Sequence, residues 1–289
     1  MSIRVENVSY TYLEGTPMAK AALTDVSITI DDGEFVGLIG HTGSGKSTLI
    51  QHFNGLLLPT KGRVFVDGVD LTNRETKLRM IRQKVGMVFQ YPEHQLFGET
   101  ILEDVGFGPR NMGLSEAEVI TRVKDALALV GFDYEAVKDR SPFELSGGQR
   151  RRVAIAGVLA MRPSVLILDE PTAGLDPEGR EEILDEIKAL HHKWGITVIL
   201  VTHSMEDVAR LVDRIVVMEK GTIALDGTPV EVFREVERLE AMGLGVPQIT
   251  ELMHELKKHG LHVNTDILSV EQAEEEIIRV LELRDHGNV

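Results

Sequence analysis

The residues Gly40, His41, Thr42, Gly43, Ser44, Gly45, Lys46 and Ser47 have the spacing G-x-x-x-x-G-K-[ST], a loop that cradles nucleotide phosphates. Glycines and small hydroxyls let successive backbone N–H groups turn toward phosphate oxygens, at a helix N-terminus whose dipole favours negative charge. Lys46 then reaches the β- and γ-phosphates of ATP, Ser47 ligates Mg²⁺, and Thr48 continues the nucleotide contact. The plain alternative is a glycine-rich turn that happens to precede Lys-Ser. Further chemistry-bearing groups stand at the ends of apolar runs. Asp169 and Glu170 follow residues 165–168, where Asp169 would hold Mg²⁺, directly or through water, and Glu170 would face the γ-phosphate and polarise the attacking water. Gln90 ends another such run and is a candidate ligand for metal or water. A lone histidine is usually a satisfied polar residue, but His203, just past residues 196–201, reads as a hydrogen-bonding sensor of the γ-phosphate. Ser146, Gly147, Gly148 and Gln149 open a helix-prone stretch and make a second anion site. One ATP has one γ-phosphate, which raises the question of whose phosphate that second site binds. Tyr12 offers a flat ring to an adenine base; the alternative is that Tyr10 and Tyr12 both pack within a β layer.

The elements that must position these groups are legible from periodicity. Residues 34–39 form an apolar strand entering the phosphate loop, and a helix leaves it. Before it, Ile3, Val5 and Val8, then Val26, Ile28 and Ile30, alternate with polar residues and predict an antiparallel layer. After it come a strand ending in Asp67-Gly68, a helix over 73–83 and a buried strand over 85–90 that Pro92 ends. Residues 99–139 read as helices, one opened by a capping box from Ser115 to Glu118. A strand at 165–168, a helix over 178–194, a strand at 196–201 and strands at 215–218 and 222–225 complete an α/β core. Beyond Gly227-Thr228-Pro229 the pattern becomes helical, over 230–242, 247–259 and 269–282. The last stretch carries Ile277, Ile278, Leu281 and Leu283 at helical spacing, a face for its own domain or for another subunit. The expected units are residues 1–228, with a helical subdomain over about 91–160, and a small, mainly helical unit over 229–289.

Bulk properties exclude several classes. With 31 basic and 46 acidic side chains the net charge is −15, which disfavours nucleic acid as a partner. The basic run Arg150-Arg151-Arg152 reads as a helix start with partly solvated arginines. No apolar run approaches the roughly 20 residues of a membrane span, and no secretory signal pattern opens the chain. The absence of cysteine rules out disulfides and fits a cytoplasmic setting.

Taken together, the motifs resemble the ATP-binding cassette (ABC) ATPases, P-loop NTPases with an antiparallel β subdomain and a helical subdomain. The resemblance runs over residues 1–228: Walker A at 40–47, Q-loop at Gln90, signature at 145–149, Walker B at 165–169, catalytic Glu170, D-loop at 173–176 with Asp176, and switch His203. In that family two cassettes pair head to tail, so the resemblance implies that Ser146 and Gly148 contact the partner's ATP. His41 and Thr42, the stretches 90–97 and 107–113, and the helical tail are similar to the ATPase subunits of energy-coupling factor transporters, which import vitamins or transition-metal ions. Ala173-Gly174 and the residues after Gln149 are more like the second of the two ATPases in that group. The implied partners are another ATPase subunit, in a homo- or heterodimer, and a transmembrane scaffold subunit, with a substrate-capturing membrane subunit reached indirectly. The implied location is peripheral, on the cytoplasmic side of the cell membrane. Glu93, Glu99, Glu103 and Asp104 are expected to include acceptors for basic scaffold residues. A generic ABC importer ATPase and a soluble cassette protein are the competing readings.

Overall fold

The computed structural model describes residues 2–285; residue 1 and residues 286–289, the outer limits of the two expected units, lie outside the described residues. Alternation at the start of the chain becomes a twisted antiparallel pair, β1 (Ile3–Tyr12) with β2 (Lys20–Ile30), in which Ile3 faces Ile30 and Tyr12 faces Lys20. The apolar run that follows is β3 (Phe35–Gly40), buried along its whole length, and the phosphate loop joins it to α1 (Lys46–Phe53). Then β4 (Lys61–Val66) and the short β5 (Val69–Asp70) complete a four-stranded antiparallel sheet in the order β2-β1-β4-β5.

Next come α2 (Leu78–Lys84) and β6 (Val85–Val88). The helix expected over 73–83 begins only at Leu78, because polar side chains capture the backbone ahead of it. The Asn73 carboxamide oxygen accepts from Glu75 N at 3.0 Å, and Thr76 Oγ1 donates to Asp70 O at 2.6 Å. A 3₁₀ turn at Pro92–Gln95 leads to α3 (Ile101–Asn111), α4 (Glu116–Leu129), α5 (Tyr134–Val137) and α6 (Gly147–Leu159). Ser115 caps α4 as expected, accepting from Glu118 N. The Glu118 carboxylate turns instead to Arg122 at 2.9 Å, so only half of the capping box forms.

The chain then alternates between β7 (Val165–Asp169), α7 (Pro177–Trp194), β8 (Thr197–Val201), α8 (Met205–Leu211) and β9 (Arg214–Glu219), which turns back into β10 (Thr222–Gly227). The second sheet has the order β10-β9-β3-β8-β7-β6, parallel except for β10. Its parallel strands bury both faces, as such sheets must. Leu166, Leu168, Val198 and Leu200 enter a core shared with α3, α4 and α6. Val165, Ile167, Ile199 and Val201 enter a second core beneath the antiparallel sheet.

Past Gly227 lie α9 (Pro229–Phe233), α10 (Val236–Ala241), α11 (Gln248–Lys258) and α12 (Val270–Asp285). The single helix expected over 230–242 is thus two. The break falls at Arg234 and Glu235, where Arg234 forms an ion pair with Asp266. Val232, Phe233, Leu239 and Leu244 still belong to the main core, and a separate small cluster forms around Met253, Val263, Ile267, Ala273 and Val280. On α12 the inward face is Ala273, Ile277 and Val280, while Ile278 and Leu281 are each 48% exposed. Spacing alone grouped these apolar residues together; their packing divides them. Among the described residues no helix is long and apolar enough to cross a membrane.

Candidate active site

Parallel register delivers the site. Leu38 on β3 and Asp169 on β7 both pair with Val201 on β8, and Val88 on β6 pairs with Leu168. The carboxyl ends of these strands therefore stop level, and the groups just beyond them meet along one edge of the sheet. A cleft of about 360 Å³ lies there, lined by Tyr12, Thr42, Gly43, Gly45, Lys46, Ser47, Thr48, Gln90, Asp169, Glu170 and His203, together with Lys20, Ala21 and Ala22. Sequence reading missed this last segment. It reaches the cleft only because the hairpin of β1 and β2 folds back over α1, and nothing local announces that.

The loop has no room for side chains at its two ends. Gly40 has φ 154° and Gly45 φ 107°. A Cβ on the first would stand 2.4 Å from Met218 O, and on the second 2.7 Å from Ala22 O. Lys46 is buried, and its Nζ donates to Gly40 O at 2.6 Å and to His41 O at 3.2 Å. An ammonium has three protons, so the third can point into the cleft. The Ser44 hydroxyl is buried with no hydrogen-bond partner among the described residues. Lys46 and the start of α1, where unpaired backbone N–H groups stand, face the cleft and fit an anion there. Gly40, His41 and Ser44 shape the loop without lining the cleft, and His41 points outward beside Gly243.

Opposite the loop, burial pushes the Asp169 carboxyl up, although the Ser47 hydroxyl and the Lys46 charge pull the other way. Glu170 is pushed up to about 7, by burial first and by the Asp169 charge second. Burial lowers Lys46, against the pull of these two carboxylates, and it lowers His203, with Lys46 and His41 adding to the effect. Glu170 sits at φ 52°, a left-handed conformation that a glutamate holds only where its surroundings impose it. Its Oε1 lies 3.0 Å from His203 Nε2. The hydroxyl of Ser47, the carboxylate of Asp169 and the amide oxygen of Gln90 are an all-oxygen set suited to a hard cation. The Ser47 hydroxyl and the Asp169 carboxylate already face each other across the cleft. Among the described residues no group of three or more His, Asp or Glu could hold a metal, so a Mg²⁺ ion here would complete its shell with phosphate and water oxygens.

Tyr12 is 38% exposed at the mouth of the cleft, and its hydroxyl lies 3.1 Å from Thr48 Oγ1. Tyr10 packs edge-on against Tyr12 and against the buried His52. The two tyrosines thus take different places, Tyr10 within the β layer and Tyr12 at the site.

Ser146, Gly147, Gly148, Gln149 and Asp176 are not brought into this cleft. They line a separate hollow of about 570 Å³ with Leu175 and Gly179. Ser146 caps α6, accepting from Gln149 N at 3.3 Å, while the Gln149 side chain accepts from Ser146 N at 3.1 Å. One expectation fails nearby and another narrows. Arg150 and Arg152 are half-buried, as expected, but Arg151 is 2% exposed and paired with Glu93 at 2.9 Å. Glu93 is thereby engaged within the chain, and Asp104 accepts from Phe97 N and Gly98 N, each at 2.7 Å. Of the four acidic residues expected to face a partner, Glu99 and Glu103 stay exposed. Sequence alone also missed Arg180, which reaches Ser204 and the buried Asp207, at 2.7 Å from the latter, and so braces the turn that carries His203.

Residues 23–173 match the family described as ABC transporter. A protein of Caldanaerobacter subterraneus subsp. tengcongensis, named energy-coupling factor transporter ATP-binding protein EcfA2, is 60% identical over 97% of this chain and 98% of its own. The structure of cbiO1 from Clostridium perfringens, described as part of the ABC transporter complex cbiONQ, superposes with a TM-score of 0.74 at 42% identity. It covers 87% of this chain and 98% of that one. The ATP-binding cassette MJ0796, solved as a dimer in a post-hydrolysis state bound to ADP and Pi, superposes with a TM-score of 0.70 at 32% identity, over 78% and 98% of the two chains.

Proposed function

The chain belongs to the ABC transporter family of ATPases, and from that premise we propose that it is the ATP-binding and hydrolysing subunit of an energy-coupling factor importer. The 60% identity to a protein of that name, over nearly the full length of both chains, supports this reading. We assign it the place of the second ATPase, driving uptake of vitamins or transition-metal ions through a membrane scaffold. The chain itself lies peripherally on the cytoplasmic face, and capture of the cargo falls to another membrane subunit.

One observation carries the mechanism. The signature residues Ser146–Gln149 and the phosphate loop line two separate hollows of one chain. Each half-site then completes the other's in a pair of cassettes, with Ser146 and Gly148 turned to the partner's γ-phosphate and Asp176 at the seam. Within its own cleft the chain holds ATP by the loop N–H groups, Lys46 and the ring of Tyr12. Ser47, Asp169 and Gln90 would hold Mg²⁺, which when bound offsets phosphate charge and orients the γ-phosphoryl group. Glu170 polarises the attacking water, and His203, whose ring nitrogen Nε2 lies 3.0 Å from it, donates toward the γ-phosphate. Residues 1–228 supply this chemistry. Residues 229–289 favour pairing, with α9 and α10 as the attachment to the main core and α11 and α12 as the part that meets another ATPase.

Turnover measured against chain concentration tests the reading. The expected result is little activity for the chain alone, and activity with co-isolation when a second ATPase and a detergent-solubilised scaffold are added. Activity rising with the square of concentration for the chain alone would make the working unit a homodimer. Failure to engage any membrane subunit would favour a soluble cassette protein. A further expected outcome concerns the base: Tyr12→Ala weakens ATP binding roughly tenfold, the order of one lost base–aromatic stack. Tyr12→Phe, which keeps the ring and loses only the contact with Thr48, stays within about threefold of wild type. Titration with a fluorescent nucleotide distinguishes the two.

A further inference from the structure

Arg151 lies in the first half of α6, 2% exposed, and its guanidinium serves segments far apart in sequence. Nε and Nη2 donate to the two carboxylate oxygens of Glu93, at 3.1 and 2.9 Å. Nη1 donates to Pro171 O at 3.1 Å and to Ala173 O at 2.7 Å. The Tyr91 ring stands 6.0 Å from the guanidinium carbon. Tyr91 and Glu93 follow Gln90 directly, and Tyr91 turns the chain there at φ 56°. Pro171 and Ala173 follow Glu170, which is itself left-handed, and Ala173 N closes the turn on Glu170 O at 3.2 Å. A planar, permanently charged fork is suited to holding a carboxylate and two carbonyls at once; a lysine, with one nitrogen, is not. Burial alone would push Glu93 up, yet the hydrogen bonds from Arg151 hold it below the usual carboxylate range.

We propose that Arg151 is a positioning residue: it fixes the Pro171 and Ala173 carbonyls, and with them the setting of Glu170, and ties that setting to the segment that follows Gln90. The strut makes the turn after β7 and the turn after β6 move as one piece, so that a displacement of residues 91–95 is felt at the water-activating carboxylate. The inference rests on the assignment of water activation to Glu170.

The test uses the full chain. It has no cysteine, so Gln95→Cys with Glu178→Cys takes a clean pair of spin labels across the strut. In R151Q the distance distribution between them is expected to broaden, with or without ATP. In the assembled transporter, R151Q is expected to lower kcat at least about tenfold, as misplaced catalytic groups do, while the KM for ATP stays within about threefold. R151K recovers part of kcat, because it keeps the charge but cannot span both carbonyls. E93Q, which leaves the two carbonyl bonds in place, costs less kcat than R151Q yet still broadens the distance. An R151Q chain with wild-type distances and kcat overturns the proposal, as does a parallel loss of kcat, ATP binding and the thermal transition, which marks simple unfolding. Should R151Q not fold, E93Q decides: an unchanged distance distribution refutes the strut. E170Q separates the two layers. Wild-type turnover in E170Q removes the reading beneath the inference, whereas a dead E170Q beside unaltered R151Q and E93Q removes the strut alone.

Discussion

Glu170→Gln is expected to reduce ATP turnover by about two to four orders of magnitude, the usual contribution of a positioned general base. ATP affinity should stay within about threefold, since the carboxylate contributes to the reacting water rather than to ground-state binding. The geometry makes the separation clean. Glu170 projects from the end of β7 into the cleft beside His203, while the groups proposed to hold the phosphates and the base lie on the loop, on α1 and at Tyr12. The amide keeps the size of the side chain and removes its capacity to accept a proton. Nucleotide titration and phosphate release measured on the same preparation read the two effects independently. On the proposed pairing with a second ATPase, in which hydrolysis would reopen the closed cassettes, the variant should also accumulate with that partner as an ATP-bound pair, visible by size-exclusion chromatography. Wild-type phosphate release by this variant would withdraw the role from Glu170.

Lys46→Ala carries the other large effect, on binding itself. Lys46 is a buried cation held by two loop carbonyls and facing Asp169 and Glu170. Without it a bound nucleotide would set its phosphates against two carboxylates with no ammonium between them. Truncating one side of a buried, charged hydrogen bond costs about 2–5 kcal/mol, so the Kd for ATP should rise by a factor of at least about thirty. The fold should survive. Removing a desolvated charge offsets the loss of two backbone contacts, so the melting temperature of the free chain should move by only a few degrees, about what 1 kcal/mol does in a chain of this size. The rise in melting temperature that ATP confers on the wild-type chain, a mass-action effect of binding the folded state, should vanish. A variant that kept that rise would show that the ammonium is not the principal phosphate contact.

Both effects involve residues that the amino-acid sequence marks by itself, because the phosphate loop is a local device. Its glycines, its lysine and the strand and helix on either side are neighbours in sequence, and backbone sterics dictate their conformation almost without reference to the rest of the chain. The same holds for alternation in β1 and β2 and for the apolar runs of β3, β7 and β8. Even the convergence of Gln90, Asp169, Glu170 and His203 is implicit there, since each follows a run buried on both faces, and parallel strands bring their carboxyl ends to one edge.

Other features answer to no local rule. Three consecutive arginines look alike in sequence, yet Arg151 alone is fully covered, because α6 turns that one position toward Glu93 and the Pro171 turn. The acidic run after Gln90 reads as a surface for a partner, whereas the fold engages Glu93 and Asp104 inside the chain. Four apolar residues near the end of α12 share a spacing but not a fate, since α11 and the loop after it cover only one side. Local pattern decides which element forms and which end of a strand carries chemistry, because both depend on torsions and on side-chain period over a few residues. Which charges are buried, which sites share a cleft and which face stays bare depend on contacts between segments tens of residues apart, and only the assembled fold sets those.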